Sequence, residues 1–257
     1  MVRAINIDEA ITHLGFVVVE QVIDEERVAR LIAALNEAGN GGEGVRGGGR
    51  SVYALRHLLE IVPAVRELSR SRAVRALVER VLGVDCFAVR SLLFDKTPAA
   101  NWKVAWHQDL SIAVRERVEV EGFGAWSEKA GVTHVQPPAK ILEKILTLRL
   151  HLDPCGEANA PLRVIPGSHL GGRLDAAEIR AWRERQAVAT CLVPSGGALL
   201  MRPLLLHASS AARSPQHRRV VHLEFAADDL PGGLQWFSQR GGEDTREGSL
   251  SIERDGS

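Results

Sequence analysis

Short β-rich segments separated by glycine, proline and asparagine follow one another from Gly83 almost to the end of the chain. Many short strands at such spacing predict a barrel or a sandwich. The expected strands cover residues 86–94, 145–152, 162–165, 187–193, 198–202, 204–208 and 219–225. We therefore expect a mainly β fold with a helical buttress, in which N-terminal helices support a jelly-roll or cupin-like barrel.

The chain before this region is predicted to be mostly helical, over about residues 1–82. Capping residues and apolar positions at helical spacing define its elements. They are a helix with a capped start at Asp8, a strand over residues 15–19, a helix over residues 24–37 and a helical run over residues 53–82 that is interrupted at Pro63. The glycine-rich residues 40–50 are expected to form a flexible loop and not a phosphate cradle, because neither GKS nor GKT follows them.

The 257 residues lie within the range of single all-β domains, so we expect one domain over residues 1–237, with its β core over about residues 83–237. An insertion over residues 111–140 interrupts the strand pattern. Long loops in compact domains are usually functional, so we interpret this insertion as a lid. The polar and charged residues 238–257 are expected to form a frayed tail.

Two potential metal ligands lie two residues apart in the segment WHQDL. On an extended backbone the side chains of His107 and Asp109 point to the same face, so one segment can supply two neighbouring ligands. His207, in the apolar segment RPLLLHASS about a hundred residues later, offers a third. Two imidazoles and one carboxylate on one face of an octahedron leave three positions open, and this arrangement favours Fe(II). Arg218 lies eleven residues beyond His207, at the start of a strand that could return beside the metal.

Over about residues 15–225 the chain resembles the phytanoyl-CoA dioxygenase family, a branch of the Fe(II)- and 2-oxoglutarate-dependent oxygenases. The segments that carry the resemblance are LGFVVVEQVID, WHQDL, PLRVIPGSH, PSGGALLMRPLLLHASS and the strand that Arg218 opens. The resemblance implies a double-stranded β-helix. It also implies Fe(II) bound by His107, Asp109 and His207, and the C5 carboxylate of 2-oxoglutarate bound by Arg218.

The implied reaction oxidises a small organic substrate with 2-oxoglutarate and dioxygen and releases succinate and carbon dioxide, with ascorbate as a reductant in vitro. Hydroxylation is the default outcome, and Asp109 supports it because related halogenases replace that carboxylate with a small residue. Two rival functions are a metal-dependent cupin-type isomerase or lyase that does not use 2-oxoglutarate and a non-catalytic β-barrel binding protein. An open triad together with a carboxylate anchor argues against both. The residues do not identify the substrate.

The remaining histidines and one arginine have more ordinary interpretations. His151 and His222 lie in alternating strands, where a core or barrel-lining role is expected. His169 is expected to hold the PGSH turn together, and His134 lies in the insertion, where it would contact either substrate or solvent. Arg149 is interpreted first as a structural ion pair and second as a ligand of a carboxylate inside the barrel.

Charge and cysteine content limit the partners and the compartment. Lysine plus arginine and aspartate plus glutamate both total 32, so no excess of positive charge favours nucleic acid or an anionic membrane. No stretch approaches the length of a membrane span and no secretory signal is evident, so we expect a cytoplasmic protein. Cys86, Cys155 and Cys191 are too far apart for a metal or redox motif and are expected to be buried thiols, in a reducing compartment that suits Fe(II). The oligomeric state is left open.

Overall fold

The structure is a computed structural model that describes residues 6–39, 45–48 and 51–238. Its α-helices are α1 (Ile7–His13), α2 (Glu25–Gly39), α3 (Leu58–Ile61), α4 (Pro63–Arg70), α5 (Arg72–Leu82), α6 (Ala139–Leu142) and α7 (Ala176–Arg185). Its strands are β1 (Phe16–Val19), β2 (Val45–Gly48), β3 (Ser51–Arg56), β4 (Phe87–Lys96), β5 (Val104–His107), β6 (Ile112–Val114), β7 (Gly124–Lys129), β8 (Val132–Gln136), β9 (Ile145–His151), β10 (Leu162–Val164), β11 (Ala189–Cys191), β12 (Ala198–Met201), β13 (His207–Ser209) and β14 (Arg218–Ala226).

Two antiparallel sheets form the barrel. The larger has the strand order β1-β12-β9-β14-β4-β3-β2, and the smaller has the order β11-β10-β13-β5. The two sheets enclose a cavity that is lined by side chains from both. This arrangement confirms the predicted fold class, a mainly β double-stranded β-helix with helices at its N-terminal side.

Alternation along the central strands separates an apolar core from the cavity. All seven residues of β9 are buried. Leu146, Leu148 and Leu150 belong to a hydrophobic cluster shared with the N-terminal helices, whereas Arg149, between them, lines the cavity. Successive side chains of a strand point to opposite faces, so one sheet packs against helices on one side and presents polar groups on the other.

The N-terminal region differs from the prediction at three places. The first helix is capped by Asn6, whose Oδ1 accepts from the amide of Asp8 at 3.2 Å, so the cap predicted at Asp8 is wrong by two residues. The helical run predicted from residue 53 begins as β3, because that segment pairs with β4 and extends the large sheet. Part of the predicted loop at residues 40–50 forms β2, and its remaining positions lie outside the described residues.

The insertion over residues 111–140 is a folded element and not an irregular loop. It forms a separate antiparallel sheet with the order β6-β8-β7, followed by α6. Ile112, Val114 and Val135 are each no more than 1% exposed and belong to one hydrophobic cluster with Trp236. The described residues that line the cavity come from outside the insertion, so the structure gives the predicted lid no support.

Other predictions concern cysteines, membranes and the tail. Cys86, Cys155 and Cys191 are buried free thiols, as predicted. In the described part of the chain no helix combines the length and the apolar character that a membrane span requires. Residues 239–257 of the predicted tail lie outside the described residues, and the division of the chain into one domain and a tail stays a prediction.

His134 makes the packing of the insertion measurable. It is 2% exposed in β8, its Nδ1 donates to the Val132 carbonyl at 2.9 Å, and burial lowers its pKa from 6.5 to about 4. Between these values the unfolded chain binds more protons than the folded one, so the free energy of unfolding should decrease as the pH falls from about 6.5 to about 4. This contribution is on the order of 3 kcal/mol or less.

We therefore expect His134→Gln to lose less stability on acidification than the unchanged protein, as measured by urea unfolding across this pH range. His13→Gln, at an exposed position, is the matched control for removal of an imidazole. Equal acid sensitivity with and without His134 would mean that this histidine titrates in water, as it would in a mobile lid.

Candidate metal centre

Strand pairing brings the three predicted ligands together. His207 of β13 lies directly opposite His107 of β5 in the small sheet, and Asp109 follows two residues after the end of β5. His107 Nε2 lies 3.6 Å from Asp109 Oδ1, and His207 Nε2 lies 3.6 Å from Asp109 Oδ2. The three ligand atoms lie within 4.8 Å of one another. Adjacent ligands about 2.1 Å from one metal ion lie about 3 Å apart, so the three side chains fit a single ion.

Hydrogen bonds to the backbone set the tautomers of both imidazoles. His107 Nδ1 lies 2.8 Å from the Ala105 carbonyl, and His207 Nδ1 lies 2.9 Å from the Leu205 carbonyl. A carbonyl oxygen only accepts, so each Nδ1 carries the proton and each Nε2 keeps its lone pair. Metal-binding histidines in proteins are oriented in this way by partners of their second nitrogen. Both lone pairs are thus available on the side that faces Asp109.

Burial and the attraction between neighbouring groups favour the protonation states in which these side chains can bind a metal. Burial lowers the pKa of His207 to about 4. Burial alone would raise the pKa of Asp109, but the neighbouring imidazoles, His207 first, lower it on balance. Burial alone would lower the pKa of His107, and the Asp109 carboxylate raises it on balance. Near neutral pH the site therefore offers an ionised carboxylate and a neutral His207.

Gln108, between the two ligands in sequence, holds their segment in place. Its Nε2 donates to the carbonyls of Gly172 and Leu204 at 2.7 and 2.6 Å, and its Oε1 accepts from the Leu174 amide at 2.8 Å. The amide of Asp109 donates to the Pro203 carbonyl at 2.9 Å, which ties the segment to the loop before His207. We did not predict this role from the sequence, because the sequence shows only a polar residue whose side chain must point away from both ligands.

Arg218 lies where the spacing from His207 predicts, on the wall of the cavity. It is 3% exposed, its Nη1 donates to the Ala160 carbonyl, and its Nε has no hydrogen-bond partner among the described residues. Arg219 points to the other face of β14 and pairs with Asp153 at 2.7 Å. The alternation that separates these two arginines is therefore as predicted.

A buried lysine lies close to this arginine. Lys96 is fully buried in β4, opposite Arg218, and donates to Ser209 Oγ at 3.1 Å and to the Ser210 carbonyl at 2.8 Å. Burial, together with the positive charge of Arg218, lowers the pKa of Lys96 to about 8. Ser209 also lines the cavity, so this end of the site is strongly positive.

A chain of four side chains forms another wall of the cavity. Arg149 Nη1 lies 2.9 Å from His222 Nδ1, His222 Nε2 lies 3.1 Å from Glu224 Oε1, and Glu224 Oε1 accepts from Arg90 Nη1 at 2.9 Å. The barrel-lining role predicted for His222 is thus confirmed. The ion pair predicted for Arg149 is wrong, because no carboxylate of the described residues lies within salt-bridge distance of it.

The other histidines lie apart from the ligands. His151 is 4% exposed in β9, in keeping with its predicted core role. His169 Nε2 lies 3.2 Å from the Thr12 carbonyl and so ties the turn to the end of α1, as predicted. His134 is absent from the described residues that line the cavity, and it is 2% exposed, so neither the contact with substrate nor the contact with solvent predicted for it has support.

Comparison with known proteins decides the family. The model of the phytanoyl-CoA dioxygenase (PhyH) family matches residues 12–220. The chain belongs to this family. No curated protein sequence matches the chain. The predicted family and the predicted enzyme class, a dioxygenase, are confirmed.

Several solved structures share the fold of this chain. The crystal structure of the non-heme alpha-ketoglutarate-dependent carbocyclase SnoK from nogalamycin biosynthesis superposes with a TM-score of 0.67 at 18% identity, over 88% of this chain and 85% of that one. EctD from S. alaskensis with bound Fe gives 0.65 at 19% identity, over 86% and 75%. EctD with 2-oxoglutarate and 5-hydroxyectoine gives 0.66 at 18% identity, over 86% and 74%. The two EctD structures contain the cofactors that the sequence predicts for this chain, Fe in one and 2-oxoglutarate in the other.

Proposed function

We propose that the protein is an Fe(II)- and 2-oxoglutarate-dependent oxygenase that hydroxylates a small organic substrate and releases succinate and carbon dioxide. In this proposal His107, Asp109 and His207 bind the metal, and Arg218 binds the C5 carboxylate of 2-oxoglutarate. The observation that carries it is the convergence of two free Nε2 lone pairs and one carboxylate in a cavity that also contains a buried arginine. The three buried free thiols suit the reducing compartment that Fe(II) requires, and we place the reaction in the cytoplasm.

When bound, Fe(II) supplies the oxygen activation that couples decarboxylation of 2-oxoglutarate to oxidation of a substrate C–H bond. The residues of this chain bind and orient. His107, Asp109 and His207 would hold the metal through two imidazoles and one carboxylate, a ligand set that leaves positions for 2-oxoglutarate and oxygen. Gln108 and the backbone carbonyls behind both imidazoles hold these side chains in position, so that their ligand atoms stay directed at the cavity.

Arg218 suits the proposed cosubstrate anchor. Its guanidinium is permanently charged, and its planar fork can donate two parallel hydrogen bonds to a carboxylate. The group is 3% exposed and its buried Nε has no partner among the described residues, so a donor remains available. A carboxylate bound there would be largely removed from water, which strengthens the attraction.

The first expected outcome concerns the metal and the reaction class. The purified protein should release succinate from 2-oxoglutarate only when Fe(II) is added, even without substrate, and Asp109→Ala should abolish the release because the triad loses its anionic ligand. Asp175→Ala is the matched control: it removes a carboxylate that caps α7, so it should cost about 1 kcal/mol of stability and leave succinate release intact. Metal binding without any succinate release would instead favour a cupin-type isomerase or lyase.

The second expected outcome separates the two neighbouring arginines. Arg218→Ala should raise the apparent constant for 2-oxoglutarate at least tens of fold, because leaving a buried carboxylate unpaired costs on the order of 2 to 5 kcal/mol. Its affinity for Mn(II) should change little. Arg219→Ala, which breaks the pair with Asp153 on the outer face, should leave the constant for 2-oxoglutarate nearly unchanged. The anchor assignment is wrong if these two results are exchanged.

A further inference from the structure

Arg149 is a buried cation that no carboxylate of the described residues approaches within salt-bridge distance. It is 9% exposed, it lines the same cavity as the three candidate metal ligands, and its Nε has no hydrogen-bond partner among the described residues. Its guanidinium carbon lies 5.5 Å from the centre of the Phe94 ring, so one face of the group is covered by an aromatic side chain. Buried charges in proteins are paired or bind ions, because an unpaired charge is costly away from water.

The contact with His222 does not neutralise this charge. An arginine N–H only donates, so His222 Nδ1 must be the acceptor, and His222 is neutral with its proton on Nε2. That proton is directed at Glu224, whose carboxylate also pairs with Arg90. Glu224 therefore balances Arg90, and the neutral His222 holds Arg149 in position without removing its charge.

When the charges of the groups that line the cavity are summed with Fe(II) and 2-oxoglutarate bound, the charge of Arg149 remains uncompensated. In the proposed function, Fe(II), ionised Asp109, Arg218 and the dianion of 2-oxoglutarate cancel one another. Arg90 and Glu224 cancel as a pair, 2.9 Å apart. Lys96, behind Ser209, can only add to the positive excess. Arg149 remains, in a cavity that still has to admit a substrate.

We propose that Arg149 binds a carboxylate of the substrate, so that the enzyme oxidises a small organic acid. The proposal rests on the proposed function, because the charge balance includes Fe(II) and 2-oxoglutarate. The apolar part of such an acid has matching surroundings, since the cavity is also lined by Leu92, Phe94, Val104 and Leu162. A guanidinium that is held by His222 and stacked near Phe94 would fix the acid group and so direct one part of the substrate at the metal.

The test compares acids with their neutral amides. Hexanoate, cyclohexanecarboxylate, benzoate and phenylacetate, each paired with its primary amide, are titrated into protein holding Mn(II) and 2-oxoglutarate under nitrogen, with binding measured by calorimetry. For at least one pair the acid should bind at least about thirtyfold more tightly than the amide, and Arg149→Gln should abolish that preference. Arg149→Lys, which keeps a charge but not the fork, should keep part of it. Arg202→Gln, which removes a guanidinium that donates to the carbonyls of Glu143 and Ile145, should keep all of it.

Three results would overturn the proposal: no preference for any acid in the unchanged protein, an intact preference in Arg149→Gln, or a loss of 2-oxoglutarate affinity in Arg149→Gln as large as in Arg218→Ala. The last would assign Arg149 to the cosubstrate. The titrations are repeated on metal-free protein without 2-oxoglutarate, where an acid preference that depends on Arg149 still supports the anion site. Failure of the unchanged protein to bind 2-oxoglutarate at all would contradict the proposed function and not this site.

Discussion

The pairing of β13 with β5 is the constraint on which the candidate site depends. It sets His207 opposite His107 across two hydrogen-bonded strands, so the two imidazoles are brought together by backbone register and not by flexible loops. Each ring is then oriented by a backbone carbonyl two residues before it in sequence. The ligand on the less regular segment, Asp109, is held by its own amide and by Gln108 next to it. A site whose ligands lie on or next to strands is positioned more precisely than a site on loops.

The large sheet supplies the arginines that line the cavity. Its alternation directs leucines of β9 at the helices and Arg149, from the same strand, at the cavity. Arg218, His222 and Glu224 reach the cavity from β14, in register with β9 and β4 on either side. The burial of so many ionisable groups is costly in free energy unless ligands complete their pairing. The cavity is therefore arranged to receive anions, which agrees with a dianionic cosubstrate and an acidic substrate.

Local patterns predicted the candidate ligands, whereas the side-chain contacts between β9 and β14 could not be predicted from them. The spacing of His107 and Asp109 and the alternation around Arg218 are local features, so the sequence was sufficient to place these side chains. Their roles as ligands of metal and of 2-oxoglutarate stay predictions. The contact of Arg149 with His222 depends on the register between β9 and β14, and the prediction of an ion pair for Arg149 was wrong. The sheet in residues 111–140 was missed because β6 has only three residues and β7 is largely polar. The family and the fold, both confirmed, were predicted from several segments that resemble the family when they are taken together.

The most direct test of the metal centre is anomalous diffraction at the iron edge, from crystals grown with Fe(II) under nitrogen. We expect one strong anomalous peak about 2.1 Å from His107 Nε2, from His207 Nε2 and from one carboxylate oxygen of Asp109. The peak should also lie in the cavity that Arg218 lines. A peak elsewhere in the protein, or an iron ion at this position without His207 among its ligands, would contradict the account.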